Sequence, residues 1–387
     1  MQPISAIQKL RLVMYRCIYT KEQFETADGE HILQNFLGAR WTSSEISSNE
    51  AQQQFGATID VALANGLKEI RNLLGARGGR GEPGPSLKNI AGSGGTRFTV
   101  DPGGKPNIAE PVIKTTQMPD GLHQVQVVLG DMKQLGWAVA KLREMFPDAS
   151  FDIEELRQHA VAQSGYVSEH LNYKSGLGGD EFFRGALKAA FNLLGVSDAD
   201  TALLDVFDEV RTFILSGAGD CRKFVRWLNS VEEIALPKIG EFDQFVSVYS
   251  KDGFVDGYIQ FYGDIGFLLR LAEGYSGREF CYGYLVDSLR DATPAEIRNP
   301  GFSKEGIPAF ESGSPLPNEV VWPVFSARFS RILERYYRRA DAQNLSRIVD
   351  DVLLPHVGKT TTEEMLGELS RKAAEYIAHR LLMSRPK

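Results

Sequence analysis

The stretch FVSVYSKDGFVDGYIQFYGDIG, residues 245–266, lies in the most aromatic part of the chain, where residues 221–284 hold 14 aromatic residues in 64 positions. How it is read decides the fold. The rings of Phe242, Phe245, Phe254, Phe261 and Phe267 recur at spacings that fit a helix, and on that reading they form a core. The apolar patterns of 241–291, 293–298 and 319–354 then make up one helical lobe, interrupted by the Pro-rich SPLPNEVVWP. Within it Tyr249, Tyr258 and Tyr262 are the rings best suited to stack bases, because a hydroxyl tolerates a wet groove.

Toward the amino terminus, helical patterns cover 131–146, 152–163, 180–194, 198–216 and 219–235, with Pro147, Gly165, Gly195 and Gly217 between them. HQVQVVL at 123–129 is the best strand candidate by alternation and Val content. Residues 75–104 contain 10 of the 38 glycines and three prolines, which predicts a mobile loop over 75–106. The window 71–105 has six basic residues (Arg71, Arg77, Arg80, Lys88, Arg97, Lys105) against two acidic ones. WTSSEISSNEAQQQ at 41–54 has the composition of a linker. Ile4, Ile7, Leu10, Val13, Met14 and Ile18 mark an amphipathic helix over 4–20 that could act as an arm. Beyond Pro355, TTTEEMLGELSRKAAEYIAHRLL sets capping threonines and glutamates at the start of an amphipathic helix with Met365, Leu366, Leu369, Ala373, Ile377 and Leu381 on one side. The expected fold is therefore mainly α: an arm and linker (1–54), a first helical lobe (55–236), a second (237–354) and a terminal arm helix (355–387).

The chain of 387 residues is 43% apolar and 24% charged, within the usual range of a globular protein. Its net charge of −7 excludes long-range attraction of the whole molecule to nucleic acid or an anionic membrane, so a polyanion site has to be a local cluster. Cys17, Cys221 and Cys281 are odd in number, far apart and without a CxxC pair, which speaks against a disulfide framework and for a reducing compartment. Lys9, Arg11 and Arg16 interrupt the apolar residues at the amino end, and no apolar run approaches the roughly 18 residues of a membrane span. The expectation is a soluble intracellular protein without a membrane partner.

The six histidines are scattered, with no HExxH, paired Cys/His spacing or EF-hand loop, so no metal or cofactor is expected. GLGGD (176–180) and GARGGRG (75–81) lack the strand-then-helix context of a phosphate loop. WPVFSARFSRILERYYRRADAQNLSR (322–347) carries six arginines against one Glu and one Asp. On a helix Arg328, Arg331, Arg335, Arg338 and Arg339 line one face beside a packing face of Phe325, Phe329, Ile332 and Tyr336. Guanidinium groups so spaced suit a phosphate backbone, and equally a solvated surface paired with acids. Two weaker clusters are Lys174, Arg184 and Lys188 in NYKSGLGGDEFFRGALKAAFNLLG (172–195), and Arg222, Lys223 and Arg226 in CRKFVRWLN (221–229). From 174 to 226 seven basic residues are matched by eight acids, so surface charge explains either cluster as well.

In layout the chain resembles the nucleoproteins of non-segmented negative-strand RNA viruses, closest to bornavirus-like and mymonavirus-like members. YKSGLGGDEFFRGALKAAFNLL (173–194) resembles a basic, glycine-containing segment of the first lobe of bornavirus nucleoproteins. DIGFLLRLAEGYSGREFCYGYLVDSLRDATPAEIRNPGFSKEGIPAF (264–310) resembles a second-lobe stretch, and residues 245–266 are similar in texture to a paramyxovirus segment. The resemblance implies a two-lobed helical protein that clamps single-stranded genomic RNA without sequence specificity and polymerises through its arms into a nucleocapsid inside the host cell. It also implies a viral polymerase and a phosphoprotein-like cofactor as partners. By position Lys174, Arg184 and Lys188 would line the cleft from one lobe and Arg290, Arg298 and Lys304 from the other. Arg222, Lys223, Arg226, Arg328, Arg331 and Arg335 join them on charge alone. The alternative is a helical scaffold protein that oligomerises through its terminal helices and binds no RNA. A metal-independent ribonuclease is a third possibility, but the paired Arg and His on one helix turn that such sites show is missing, and the chain is read as no enzyme.

Overall fold

The computed structural model describes residues 13–161, 167, 169–173, 176–228, 234–289, 295–311 and 318–383, the side chains of 379, 382 and 383 excepted. The chain divides into two compact units at 317/318. Through the first unit run the short strands β1 (Tyr15–Arg16), β2 (Gln23–Phe24), β3 (Glu30–His31) and β4 (Thr42–Ser43), then helices α1 (Asn49–Ala57) and α2 (Ile59–Leu74). Strands β5 (Leu87–Gly92), β6 (Arg97–Asp101), β7 (Lys105–Ile108), β8 (Val112–Gln117) and β9 (His123–Val128) follow, then α3 (Leu135–Met145), α4 (Ile153–Gln158) and β10 (Leu171–Asn172). Next come α5 (Asp180–Ser197), α6 (Ala199–Ala202) and α7 (Asp208–Ser216). Strands β11 (Val225–Trp227), β12 (Asp243–Lys251), β13 (Phe254–Phe261), β14 (Ile265–Glu273), β15 (Cys281–Asp287) and β16 (Ala295–Arg298) complete it. The second unit is a helical hairpin, α8 (Asn318–Leu353) and α9 (Glu363–Met383).

The mainly helical fold is thus corrected: the aromatic stretch that was to form a helical lobe is the centre of an antiparallel sheet of order β11-β14-β13-β12-β15-β16. Asp252 and Gly253, both at positive φ (52° and 82°), join β12 to β13 in a two-residue turn whose twist suits a hairpin. On one face Phe245, Tyr249, Tyr258, Leu268 and Leu285 pack with Ile307 and Phe310. On the other lies α5, whose Phe182 ring meets Phe261 at 6.2 Å and Phe267 at 5.8 Å. Both faces are covered, so the strands read as continuous apolar runs instead of an inside–outside alternation, and ring spacing imitates a helix. Tyr249, Tyr258 and Tyr262 are buried in this sheet and its turn, which withdraws them from base stacking.

Residues 75–106, expected as a mobile loop, hold β5, β6 and the start of β7, in a four-stranded sheet of order β10-β5-β6-β7 over a small core of Leu87, Phe98 and Val100. The expected arm helix over 4–20 falls partly outside the described residues. From 13 onward it is instead β1 followed by Cys17, Ile18 and Tyr19, all buried in the first unit. The linker at 41–54 contains β4 and most of α1, with Ser48 as N-cap accepting from the Ala51 amide. The pattern at 219–235 becomes β11 after a short turn. Helical expectations are met at α3, α5, α8 and α9, and HQVQVVL supplies β9.

Candidate functional site

Several of the cations expected to line an RNA cleft are engaged by protein groups. Lys174 and Arg290 lie outside the described residues. Arg184 is buried on α5 and donates to the carbonyls of Ile214 (3.1 and 2.9 Å) and Leu215 (2.8 Å), the exposed ends of the last turn of α7. There it satisfies acceptors that the helix leaves open and meets the negative end of its dipole. Arg222 grips Asp220 through Nε at 2.7 and 2.8 Å, and this guanidinium holds the Asp220 carboxyl down at about 2. Lys223 pairs with Glu209 at 2.8 Å, and Lys304 bonds the Ser250 carbonyl and Glu279. Arg226 is half-buried on β11. Arg298 lies 4.7 Å from the centre of the Trp41 ring, a cation–π contact at the edge strand β16. On α8 Arg328 is buried, Arg331, Arg335 and Arg339 are half-buried and Arg338 is exposed. The arginine face expected to meet phosphate therefore shares the covered side of the helix with Ile332.

Lys188 is the centre of a cluster that sequence reasoning missed. Its side chain is 2% exposed, and the ammonium bonds Glu30 Oε1 at 2.7 Å and Asp60 Oδ2 at 2.8 Å. It also lies 5.0 Å from the centre of the Phe55 ring. Gln34 Nε2 donates to Asp60 Oδ1 at 3.0 Å. Asn192 Nδ2 donates to Glu30 Oε1 at 3.3 Å and to the His31 carbonyl, while the Tyr19 hydroxyl donates to Asn192 Oδ1. One helix, α5, thereby holds β3 and α2 through a single ammonium. Burial works against the charge on Lys188, but Asp60 and Glu30 outweigh it and raise the ammonium above its ordinary value. Burial pushes the Glu30 carboxyl up, opposed by Lys188 and Asn192. Burial, with Arg80 and Lys188 nearby, lowers the His31 imidazole at the end of β3.

A nucleophilic or basic lysine needs its ammonium destabilised, and here it is stabilised. The cluster consequently locks elements together and does not suit proton transfer by Lys188. Asp60 is 128 residues from Lys188 in sequence and Glu30 lies farther still, so no sequence window brings them beside it. A second buried acidic pair, Asp243 and Asp287, sits directly opposed across β12 and β15. Asp243 Oδ2 accepts from the Ile239 and Gly240 amides, whereas burial raises this carboxyl to about 6. Among the described residues no three His, Cys, Asp or Glu side chains come together as metal ligands, and no helix is long and apolar enough to cross a membrane.

The second unit offers a different kind of surface. Residues 318–387 contain 12 Lys and Arg and nine Asp and Glu, net +3, which leaves −10 for the rest of the chain. Asp341 on α8 accepts from the Tyr376 hydroxyl at 2.6 Å and from Arg380 at 2.8 Å on α9, and Asn344 donates to Tyr376. Among its described residues only Arg328, Ile332 and Val352 are buried. Val320, Trp322, Tyr337, Val349, Leu354, Val357, Leu366, Ile377 and Leu381 are all exposed. Compared with known proteins, the chain matches no family model, no curated protein and no solved structure.

Proposed function

We propose that the protein is a non-catalytic assembly protein, an acidic α+β body carrying a basic helical hairpin through which copies associate. One observation carries this reading: among the hairpin's described residues three are buried, against nine exposed large apolar ones. A two-helix unit cannot bury its apolar stripe alone, and its usual solution is a bundle with further helices. The internal engagement of Arg184, Lys188, Arg222, Lys223 and Lys304 supports the same reading, since cations satisfied by protein acceptors are poorly placed to clamp a polyanion.

Light scattering on a sizing column, with absorbance at 260 and 280 nm before and after ribonuclease, tests it. The expected result is a multiple of the 42.9 kDa chain mass with a protein-like absorbance ratio, unchanged by ribonuclease. A monomer at about 50 μM, well above the Kd range of stable assemblies, would refute the reading. A second reading keeps one observation in its favour: the hairpin is net positive, and Arg338 and Arg347 are exposed on α8. Ribonuclease-sensitive assemblies with a high ratio would select that reading, binding of single-stranded RNA, in its place.

A further inference from the structure

α9 has two sides with different occupants. Met365, Leu369, Ala373 and Tyr376 are half-buried, and Tyr376 and Arg380 reach α8 through Asp341. On the other side Leu366, Ser370, Ala374, Ile377 and Leu381 follow one another at steps of four, four, three and four, and all five are exposed. Leu366 is 50% exposed, Ile377 48% and Leu381 61%. From Leu366 to Leu381 such a stripe runs about 23 Å, enough for a helix–helix seam.

Charge along α9 says what seats on it. Glu363, Glu364 and Glu368 occupy its first two turns and Arg371, Lys372, Glu375 and Arg380 the later part; Lys372 pairs with Glu368, Arg371 with Glu375 and Arg380 with Asp341, so what a neighbour meets is the net gradient, −3 over 363–370 against +2 over 371–381. A parallel copy would set acid against acid and base against base. An antiparallel copy sets each acidic half against a basic half, and the same patch serves both partners across a two-fold axis. Small residues, Ser370 and Ala374, sit at the centre of the stripe, where the axis would pass and the helices approach closest.

We infer that α9 pairs antiparallel with α9 of a second copy of this chain about a two-fold axis near Ala374, two hairpins forming a four-helix bundle. The inference rests on the assembly reading above and adds the surface, the partner and the orientation. It predicts that L366E/I377E raises the dimer dissociation constant at least about 100-fold, from the burial of two large apolar side chains per copy, with the far-UV spectrum unchanged because both positions are exposed in the single chain.

Cysteine crosslinking of the full chain reads the orientation, with Cys221 and Cys281 replaced by Ser and the buried Cys17 retained. The expected pattern is a disulfide-linked dimer from A374C alone, none from L366C alone, and one from an L366C and L381C mixture. Self-linkage of L366C would show a parallel pair and overturn the inference. A dimer that ignores both L366E/I377E and A374C would place the contact elsewhere, overturning the inference while leaving the assembly reading intact. A monomeric parent chain would overturn both.

Discussion

Replacing Lys188 by Met removes the ammonium shared by Glu30 and Asp60 and keeps the volume of the side chain. The two contacts of 2.7 and 2.8 Å bring opposite charges close enough for several kcal/mol of attraction in a protein-like medium, most of which offsets the desolvation of all three groups. Removing one partner leaves Glu30, 6% exposed, charged and buried without its cation, and such a break costs about 3 to 5 kcal/mol. Asp60 is less affected, because its side chain is 26% exposed and it retains Gln34.

The sign of the pH dependence separates this cause from simple loss of packing. In K188M the Glu30 carboxyl loses the group that opposes its burial, so its folded pKa rises further above the unfolded value. A carboxyl raised in this way contributes stability below its unfolded pKa and loses it as pH rises through the folded one. The deficit of K188M is therefore expected to shrink by about 1 to 3 kcal/mol between pH 7.5 and pH 5. Urea unfolding followed by far-UV circular dichroism at both pH values measures it, with K188M/E30Q, neutral at Glu30's position, expected to recover about half the loss at pH 7.5 and to be flat in pH. Should K188M prove too unstable to purify, K188R keeps the charge and is expected to cost about 1 to 2 kcal/mol. A K188M loss below about 1 kcal/mol, or one equal at both pH values, would refute the claim that the ammonium holds α5 to β3 and α2.

Asp243, raised to about 6 by burial opposite Asp287, contributes stability below its ordinary carboxyl value that is lost as pH rises through 6. D243N should remove this dependence, amounting to about 2 to 3 kcal/mol between pH 4 and pH 7, in the same unfolding assay; a curve parallel to the parent's would reject it. Gly257 faces α5 at the centre of the sheet, where a Cβ would stand 2.6 Å from the Ser247 carbonyl and 3.6 Å from Ala190 Cβ. G257A is expected to cost about 1 to 3 kcal/mol by forcing strands apart. G56A in α1, with nothing within 4 Å, should stabilise by about 0.5 to 1 kcal/mol, and thermal melting of the two variants in opposite directions checks the pair.

What the sequence made legible depended on how each element is covered. Helices α5, α8 and α9 announce themselves through apolar residues recurring at three- and four-residue steps, and β9 because His-Gln-Val-Gln-Val-Val alternates. β12 to β15 gave no such contrast, since α5 covers one face and Ile307, Phe310 and their neighbours cover the other. The Asp252-Gly253 pair between two apolar runs was the available signal for a hairpin, and it outranks ring spacing because only residues tolerant of positive φ fit that turn. In 75–106 the glycine count hid the alternation of Phe98 and Val100, two side chains sufficient to seat a small sheet on Leu87.

The site was less legible than the fold for a different reason: sequence counts charges, whereas function depends on which of them are already spent on partners. Lys188 and Arg184 stand on α5 with the spacing of a basic face, yet one is neutralised by acids from β3 and α2 and the other caps α7. Nothing near residues 172–195 records those partners, because the pairing belongs to the tertiary structure. The same logic runs in the opposite direction on α9. There the apolar residues were expected on one side, and the hairpin splits them, seating Met365 and Leu369 toward the half-buried side and leaving Leu366 and Ile377 outward. A helix with two apolar sides and a charge gradient along its length is specified for two neighbours, and α8 supplies only one of them.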